Sequence, residues 1–481
     1  MTSYLRSIFG RTAGGGLALY LFLVLCSAYF VSLFVIDAVH TEVFIHPEVI
    51  DKYPGYLTHK GLYSELGKPF DVRTGEACPP DALYNPPPPR VGPIGARTRN
   101  LNYFFDYLDA LFTRHVTLGF GMISQPVFAL LTALFFYLGL RNLPGLRLPT
   151  ALMLAAFVLC LPQILFDNGI LYRSGKILTS FFAAFLFWLL ARITAGKEMS
   201  KPLLAGTALC ACLLTQADEM AVVLLLIFLL LLLFYKRYRL ALVYSSAAGW
   251  YLAFRFLLEP ALSLHFHGVK ILLFGGYSDP RAFGEASRDI LAKTLAALTY
   301  QARSVLGTAN FLGDRRYELA AAALLCAFFL SLYLRNREAP RAAGIRGTLL
   351  GAGMFAALIA LWTGVVYLMA LRHPFIVEGP VYGGGYYFMV TAVFFYALAL
   401  WGLARLKFNE GLLAALLLVA ATWNFANTRA ARGWFASDCF GEEWLKAQRT
   451  MQEFITKQNF PPDDPVYLKH KKFLDCYRER S

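Results

Sequence analysis

The sequence predicts an all-α polytopic membrane protein, and three observations carry that prediction. Hydrophobic residues make up 57% of the 481-residue chain and charged residues only 16%, where a soluble protein carries roughly 25% charge. Apolar stretches long enough to span a bilayer recur along the chain. Lys and Arg gather in the connections between alternate stretches, the pattern that sets orientation in a membrane. The charge deficit excludes a soluble enzyme and a disordered scaffold. The formal charge of +14 sits largely in those connections, where it meets anionic headgroups. No nucleic-acid-binding signature accompanies it, so no nucleic acid partner is expected.

The first apolar run, about 15–36, follows Arg6 and Arg11. It lacks the short core and Ala-x-Ala-like exit of a cleaved signal peptide, so residues 1–36 read as a cytoplasmic tail and an uncleaved first helix. A long polar loop, 37–117, follows, with Pro86-Pro87-Pro88-Pro89 inside it. Runs at 118–140, 148–166, 177–193, 203–215, 220–235 and 240–258 form helices two to seven, within 118–258. A second polar loop covers 259–317. Runs at 318–334, 347–371, 386–403 and 411–424 complete a bundle of about 11 transmembrane helices, the last four within 318–424. The tail, 425–481, carries an amphipathic stretch from Glu442 to Lys457.

Arg141/Arg147, Arg192/Lys197/Lys201, Lys236/Arg237/Arg239, Arg335/Arg337/Arg341/Arg346 and Arg405/Lys407 fall on alternate connections. They place the N-terminus in the cytoplasm, and an odd number of spans places the tail outside. The three large polar segments then share the outer face, where a membrane enzyme builds its site. The arrangement suits a bacterial inner membrane, with a periplasmic C-terminus and no retention signal at Glu479-Arg480-Ser481, or an endoplasmic reticulum.

Of eight cysteines, Cys26, Cys160, Cys210, Cys212 and Cys326 lie in apolar runs and read as small buried hydrophobes. Cys78, Cys439 and Cys476 lie in polar segments. An oxidising compartment would allow one pair among them to bridge, never all three. No Walker, Rossmann or zinc-finger spacing occurs, and the two halves lack the matching broken helices of a secondary transporter. Gly383-Gly384-Gly385 reads as a bend at a helix start.

Asp37 ends the first run in Phe34-Val35-Ile36-Asp37-Ala38. A carboxylate at a membrane boundary can take a proton from a hydroxyl, or simply be the first polar residue after a span. Glu42, His40, His46 and Glu48 follow; with Asp37 they offer oxygen and nitrogen ligands, so a divalent metal is possible, although the spacing matches no defined metal motif. His265-Phe266-His267 is a second pair of ring nitrogens, on one face only if the segment is a strand. Arg173 and Lys176 break the basic-loop pattern in the link 167–176, where a cation would hold a phosphate at headgroup level or snorkel to lipid. Asp218 and Glu219 form a tight acidic pair between two apolar runs, suited to a cation, a basic partner or a sugar hydroxyl. Arg255 lies within a run and requires a partner or an aqueous cavity. Arg372 and His373 open the last outer loop and are another candidate for binding an anion.

The order of these pieces resembles the GT-C superfamily, multispan glycosyltransferases that use polyprenyl-phosphate sugars. The nearest likeness is to the branch with protein O-mannosyltransferases and relatives carrying tetratricopeptide tails. Phe34-Val35-Ile36-Asp37-Ala38 stands where that branch has Phe-x-x-Asp-Asp, and His46-Pro47-Glu48-Val49 where it has Asn-Pro-Asp-Val. An amphipathic segment opening on Arg, here Arg99 to Leu108, leads to the second span. Leu161-Pro162 and Ser174-Gly175-Lys176 stand for a proline-ended span and a Ser-Gly-Arg return. Ala217-Asp218-Glu219 stands for an acidic turn, and Leu252-Ala253-Phe254-Arg255 for a Leu-x-x-Arg span end. The likeness covers about residues 15–260 and, loosely, the rest; order and spacing carry it.

The resemblance implies an inverting transferase moving a sugar from a polyprenyl-phosphate donor to an extracytoplasmic protein or glycan acceptor. Asp37 would be the general base; Lys176, Arg173, Arg255 and Arg372 would hold the departing lipid phosphate; Asp218, Glu219 and His373 would orient the sugar or a polar partner. The departures are Ala38 at the second acid, a longer first loop and no tetratricopeptide tail. Ala38 implies either lost activity or a substitute acid in Glu42. The competing readings are a non-catalytic scaffold on the same fold, and a lipid or glycan transporter.

Overall fold

A computed structural model describes residues 13–38, 61–64, 66, 69–71, 94–96, 99–115, 123–143, 146–167, 175–197, 199–218, 221–267, 315–336, 359–362, 389–404 and 406–437. The described chain is overwhelmingly helical. Among the described residues, three helices are long and apolar enough to cross a membrane, at Ile177–Thr194, Tyr238–His267 and Glu410–Thr428. Shorter apolar helices, such as Ser124–Leu140 and Ala221–Phe234, surround them. Among the described residues the strands are Pro69–Asp71 (β1) and Ile94–Ala96 (β2), an antiparallel ladder pairing Phe70 with Gly95.

Helix α1 spans Ala13–Ala38. Ala18, Leu21, Leu25 and Tyr29 recur at helical spacing and are buried, which makes one stripe the packing face. That face meets α4 (Leu148–Phe157) and α12 (Glu410–Ser437). α2 is the amphipathic Asn100–His115. α3 (Ser124–Leu140) and α6 (Gly175–Thr194) run parallel in close contact. Their seam is aromatic: Phe135 lies 5.2 Å from Phe185 and 5.4 Å from Trp188, ring centre to ring centre, and Phe136 lies 5.1 Å from Phe187. Gly139 permits the approach, since a Cβ there would sit 2.6 Å from the Phe187 ring.

The stretch 148–166, one run in the sequence, is broken. Leu161 is extended because it precedes Pro162. α4 therefore tightens into a 3₁₀ turn, Val158–Cys160, and a new helix, α5 (Pro162–Asp167), starts on the proline. The break frees the carbonyl of Cys160, and Asn424 of α12 donates its amide N–H to it at 2.9 Å. Tyr396 of α11 (Met389–Leu403) donates its hydroxyl to the Leu154 carbonyl at 2.5 Å. These two bonds pin α4 to helices more than 240 positions away.

α7 (Lys201–Leu214) and α8 (Ala221–Phe234) follow. Gly196, at φ 71°, ends α6 in the left-handed conformation that caps helices. Lys236 does the same after α8 at φ 55°. α9 is continuous over Tyr238–His267, past the expected end of the run at residue 258. A π turn, Phe254–Leu258, precedes Pro260; its wider winding accommodates a residue without an N–H. α10 is Arg315–Asn336. α12 continues to Ser437, beyond the 411–424 run.

Cys160 is buried, Cys26, Cys210 and Cys212 are half-buried, and Cys326 is exposed on α10. The expectation of burial is corrected for Cys326. An apolar run supplies residues to a helix's outward face as well as its core. Cys78, Cys439 and Cys476, the 442–457 stretch and the triple glycine lie outside the described residues.

Candidate functional site

Helix directions put the basic connections at one end of the bundle: α3 and α6 finish there on Arg141 and Arg192, and α7 starts there on Lys201. The other end is polar and is built around α2. The backbone N–H of Leu101 donates to the Gln216 carbonyl at 2.9 Å, and the Asn100 amide donates to Gln216 Oε1 at 2.8 Å. The start of α2 is thus fastened to the turn between α7 and α8. Gly175, first residue of α6, closes the triangle: a Cβ there would lie 3.0 Å from Asn102 Nδ2 and 3.6 Å from the Ala217 carbonyl.

Further along α2, Asp109 accepts hydrogen bonds from the backbone N–H groups of Ile123 and Ser124, both at 2.9 Å, and from the Ser124 hydroxyl. Ile123 has no side chain able to cap α3, so Asp109 supplies the cap from another helix. Burial lifts its carboxyl from the usual value of 3.8 to about 6, against the opposing pull of those bonds. Asn102, Asp106, Gln125 and Asp218 are buried with it. Apolar helices do not accumulate such groups unless each is satisfied or used.

Two described parts of the first polar loop come to the same end. Tyr63 stacks on Phe266 of α9 at 4.6 Å, and His267 Nε2 lies 2.9 Å from the Leu66 carbonyl. That carbonyl can only accept, so the ring proton sits on Nε2. β2 also packs against the end of α9. The loop segments and the end of α9 therefore share one side of the bundle. His265 and His267 stand on a helix rather than a strand, so their rings do not share a face.

Asp218 is buried, 2% exposed, in the turn that holds α2. Arg255 has the partner its sequence position demanded: it pairs with Glu259, one turn on, at 2.5 Å. Asp37 falls in the last turn of α1 and Lys176 in the first turn of α6; their side chains lie outside the described residues. Glu42, Arg173, Glu219, Arg372 and His373 lie outside them too, as do His40, His46 and Glu48. Asp106 and Asp109 were not singled out by the sequence reading. The signal was there: Asn102, Asp106 and Asp109 repeat at helical spacing on one face. Among the described residues no group of three or more His, Cys, Asp or Glu side chains is placed to hold a metal.

Comparison with known proteins gives no match: no family model, no curated protein and no solved structure aligns with the chain.

Proposed function

We propose that the chain is a polytopic membrane glycosyltransferase that moves a sugar from a polyprenyl-phosphate donor to an acceptor hydroxyl outside the cytoplasm. One observation carries the reading. Three segments that the motif order singled out, Arg99 to Leu108, Ser174-Gly175-Lys176 and Ala217-Asp218-Glu219, are distant in sequence; at the polar end Asn100, Leu101 and Asn102 of the first meet Gly175 of the second and Gln216-Ala217 at the third. In this reading the bundle has about eleven spans, with the polar end outside.

Asp37 would take the acceptor proton, and Lys176 with Arg173 and Arg372 would stabilise the leaving phosphate. Asp218 and Glu219 would orient the sugar. Arg255 is less suited to a phosphate, because it already neutralises Glu259. Proteoliposomes supplied with polyprenyl-phosphate sugars test the reading. Transfer should fall at least about 100-fold in Asp37→Asn and Lys176→Ala, the scale of a lost acid–base or charge-stabilising group, with the unfolding temperature held. Undiminished transfer in Asp37→Asn would overturn Asp37 as the base.

Ala38, standing where the branch has a second acid, favours a second reading: a non-catalytic scaffold on the same bundle. It predicts no turnover with any donor, and Asp37→Asn that leaves assembly with partner proteins intact.

A further inference from the structure

We propose that the outward face of α2, formed by Phe104 and Leu108, is seated among the acyl chains of the bilayer, so that Asn100–His115 is a membrane-interface helix and not part of a soluble outer loop. The proposal rests on reading the bundle as membrane-spanning. Its ground is where the helix puts its polar residues: they are buried, beside Tyr103 and Ala110, while its exposed positions are apolar. Asn102, Asp106 and Asp109, at spacings of four and three, are 3%, 0% and 0% exposed and face the bundle. Phe104 and Leu108, four apart on another face, are 41% and 37% exposed. A helix lying on a protein in water turns its polar residues, not Phe and Leu, to the exposed side. The reversed arrangement is stable where the surroundings are apolar.

Continuity identifies those surroundings. Phe105 meets Phe128 edge-on at 4.8 Å, and the Asp109 cap holds α2 to the start of α3. From that junction Ile123, Val127, Leu130 and Leu134 continue down α3 as exposed apolar positions. They form the outward surface of an apolar helix, and the face of α2 adjoins its upper end. Leu226 and Leu230 on α8, with Leu242 and Leu252 on α9, are exposed in the same manner. A protein partner or a second copy covers one side of a bundle. Apolar residues on several sides fit lipid. The polar face of α2 is then held at headgroup depth, where the phosphate of a lipid-linked substrate also lies.

The test places p-benzoylphenylalanine at Phe104, Leu108 or, as a reference, Leu130, in full-length protein reconstituted into phosphatidylcholine–phosphatidylglycerol vesicles. Irradiation followed by intact mass measurement should give a gain of one phospholipid at all three positions. All three are exposed, so the substitutions disturb no core. Lipid adducts at 130 but not at 104 or 108 overturn the proposal and leave the membrane reading standing. Doubled mass at 104 or 108 identifies a second copy as the occupant and overturns it as well. No lipid adduct at any position overturns both.

Discussion

Asp109 on the helix Asn100–His115 caps the helix Ser124–Leu140 through Ser124, whose backbone N–H and hydroxyl both donate to its carboxylate. The bond joins the only described amphipathic helix of the first loop to the bundle. It also sets a carboxylate at a helix N-terminus, where the macrodipole favours it. Asp109→Leu removes the acceptor for three donors and should destabilise the protein by at least about 2 kcal/mol. Asp109→Asn keeps an oxygen for the two N–H groups and should cost much less. Thermal unfolding in detergent orders the variants; equal losses would show that the cap is not what stabilises the junction.

The same carboxyl predicts a pH dependence. Its folded-state value is raised from 3.8 to about 6 by burial, so the fold prefers the protonated form. Its contribution to stability is complete below about pH 4 and is lost as the pH rises through 6, a change worth about 3 kcal/mol. The unfolding midpoint should fall between pH 4 and pH 7, and the slope should flatten in Asp109→Asn. An unchanged slope in that variant would assign the titration elsewhere.

Gly139 sets the spacing of α3 and α6. An added Cβ would meet the Phe187 ring at 2.6 Å and the Trp188 backbone at 3.3 Å. The ring is boxed in by Phe136, so it cannot swing aside cheaply. Gly139→Ala should destabilise by about 1–3 kcal/mol, the usual penalty of overpacking. Chemical unfolding followed by tryptophan fluorescence measures it; a neutral result would mean that the seam has slack.

Much of this bundle was legible in the sequence, and its exceptions have physical causes. The runs 177–193 and 220–235 became the helices Gly175–Thr194 and Ala221–Phe234, because breakers flank long apolar stretches there. Leu161-Pro162 reads as the end of a span in the motif order, yet the apolar run continues through it to 166, since Leu161 and Ile164 on either side are buried apolar residues. Composition does not record a lost N–H. The run 240–258 ends too early for α9: the apolar pattern stops at Glu259, whereas the helix continues through a π turn and past Pro260. Asp106 lies within the amphipathic segment Arg99 to Leu108 and Asp109 just beyond it, but that segment was read by its order in the chain and not by which face carries its acids. The partner of Arg255 stood four residues away, a spacing that pairs charges on any helix. The meeting of residues 99–102, 175 and 216–218 is a tertiary fact that no local pattern encodes.

Asn424 completes the broken helix. Its amide satisfies the Cys160 carbonyl that Pro162 releases, and the site is buried. Asn424→Leu should cost about 1–3 kcal/mol, the penalty of a buried acceptor without its donor. Asn424→Asp, with no N–H to give when ionised, should cost at least as much. Unfolding midpoints in detergent decide it, and a Leu variant as stable as the parent would mean that water reaches the carbonyl.

Arg255 and Glu259 decide between a structural and a binding role within α9. Glu259 is 1% exposed, so Arg255→Met leaves a buried carboxylate without its ion pair and should destabilise by about 3–5 kcal/mol. The double variant Arg255→Met, Glu259→Leu removes both charges and should recover most of that loss, because an apolar pair suits an apolar helix. Under the proposed function, transfer activity then separates the roles. If Arg255 serves only to neutralise Glu259, the double variant regains activity along with stability. If Arg255 also holds the donor phosphate, stability returns and activity does not, with the apparent affinity for the lipid-linked sugar falling more than turnover. The 2.5 Å ion pair favours the first outcome, since a guanidinium already committed to a buried carboxylate has less positive field to offer a phosphate.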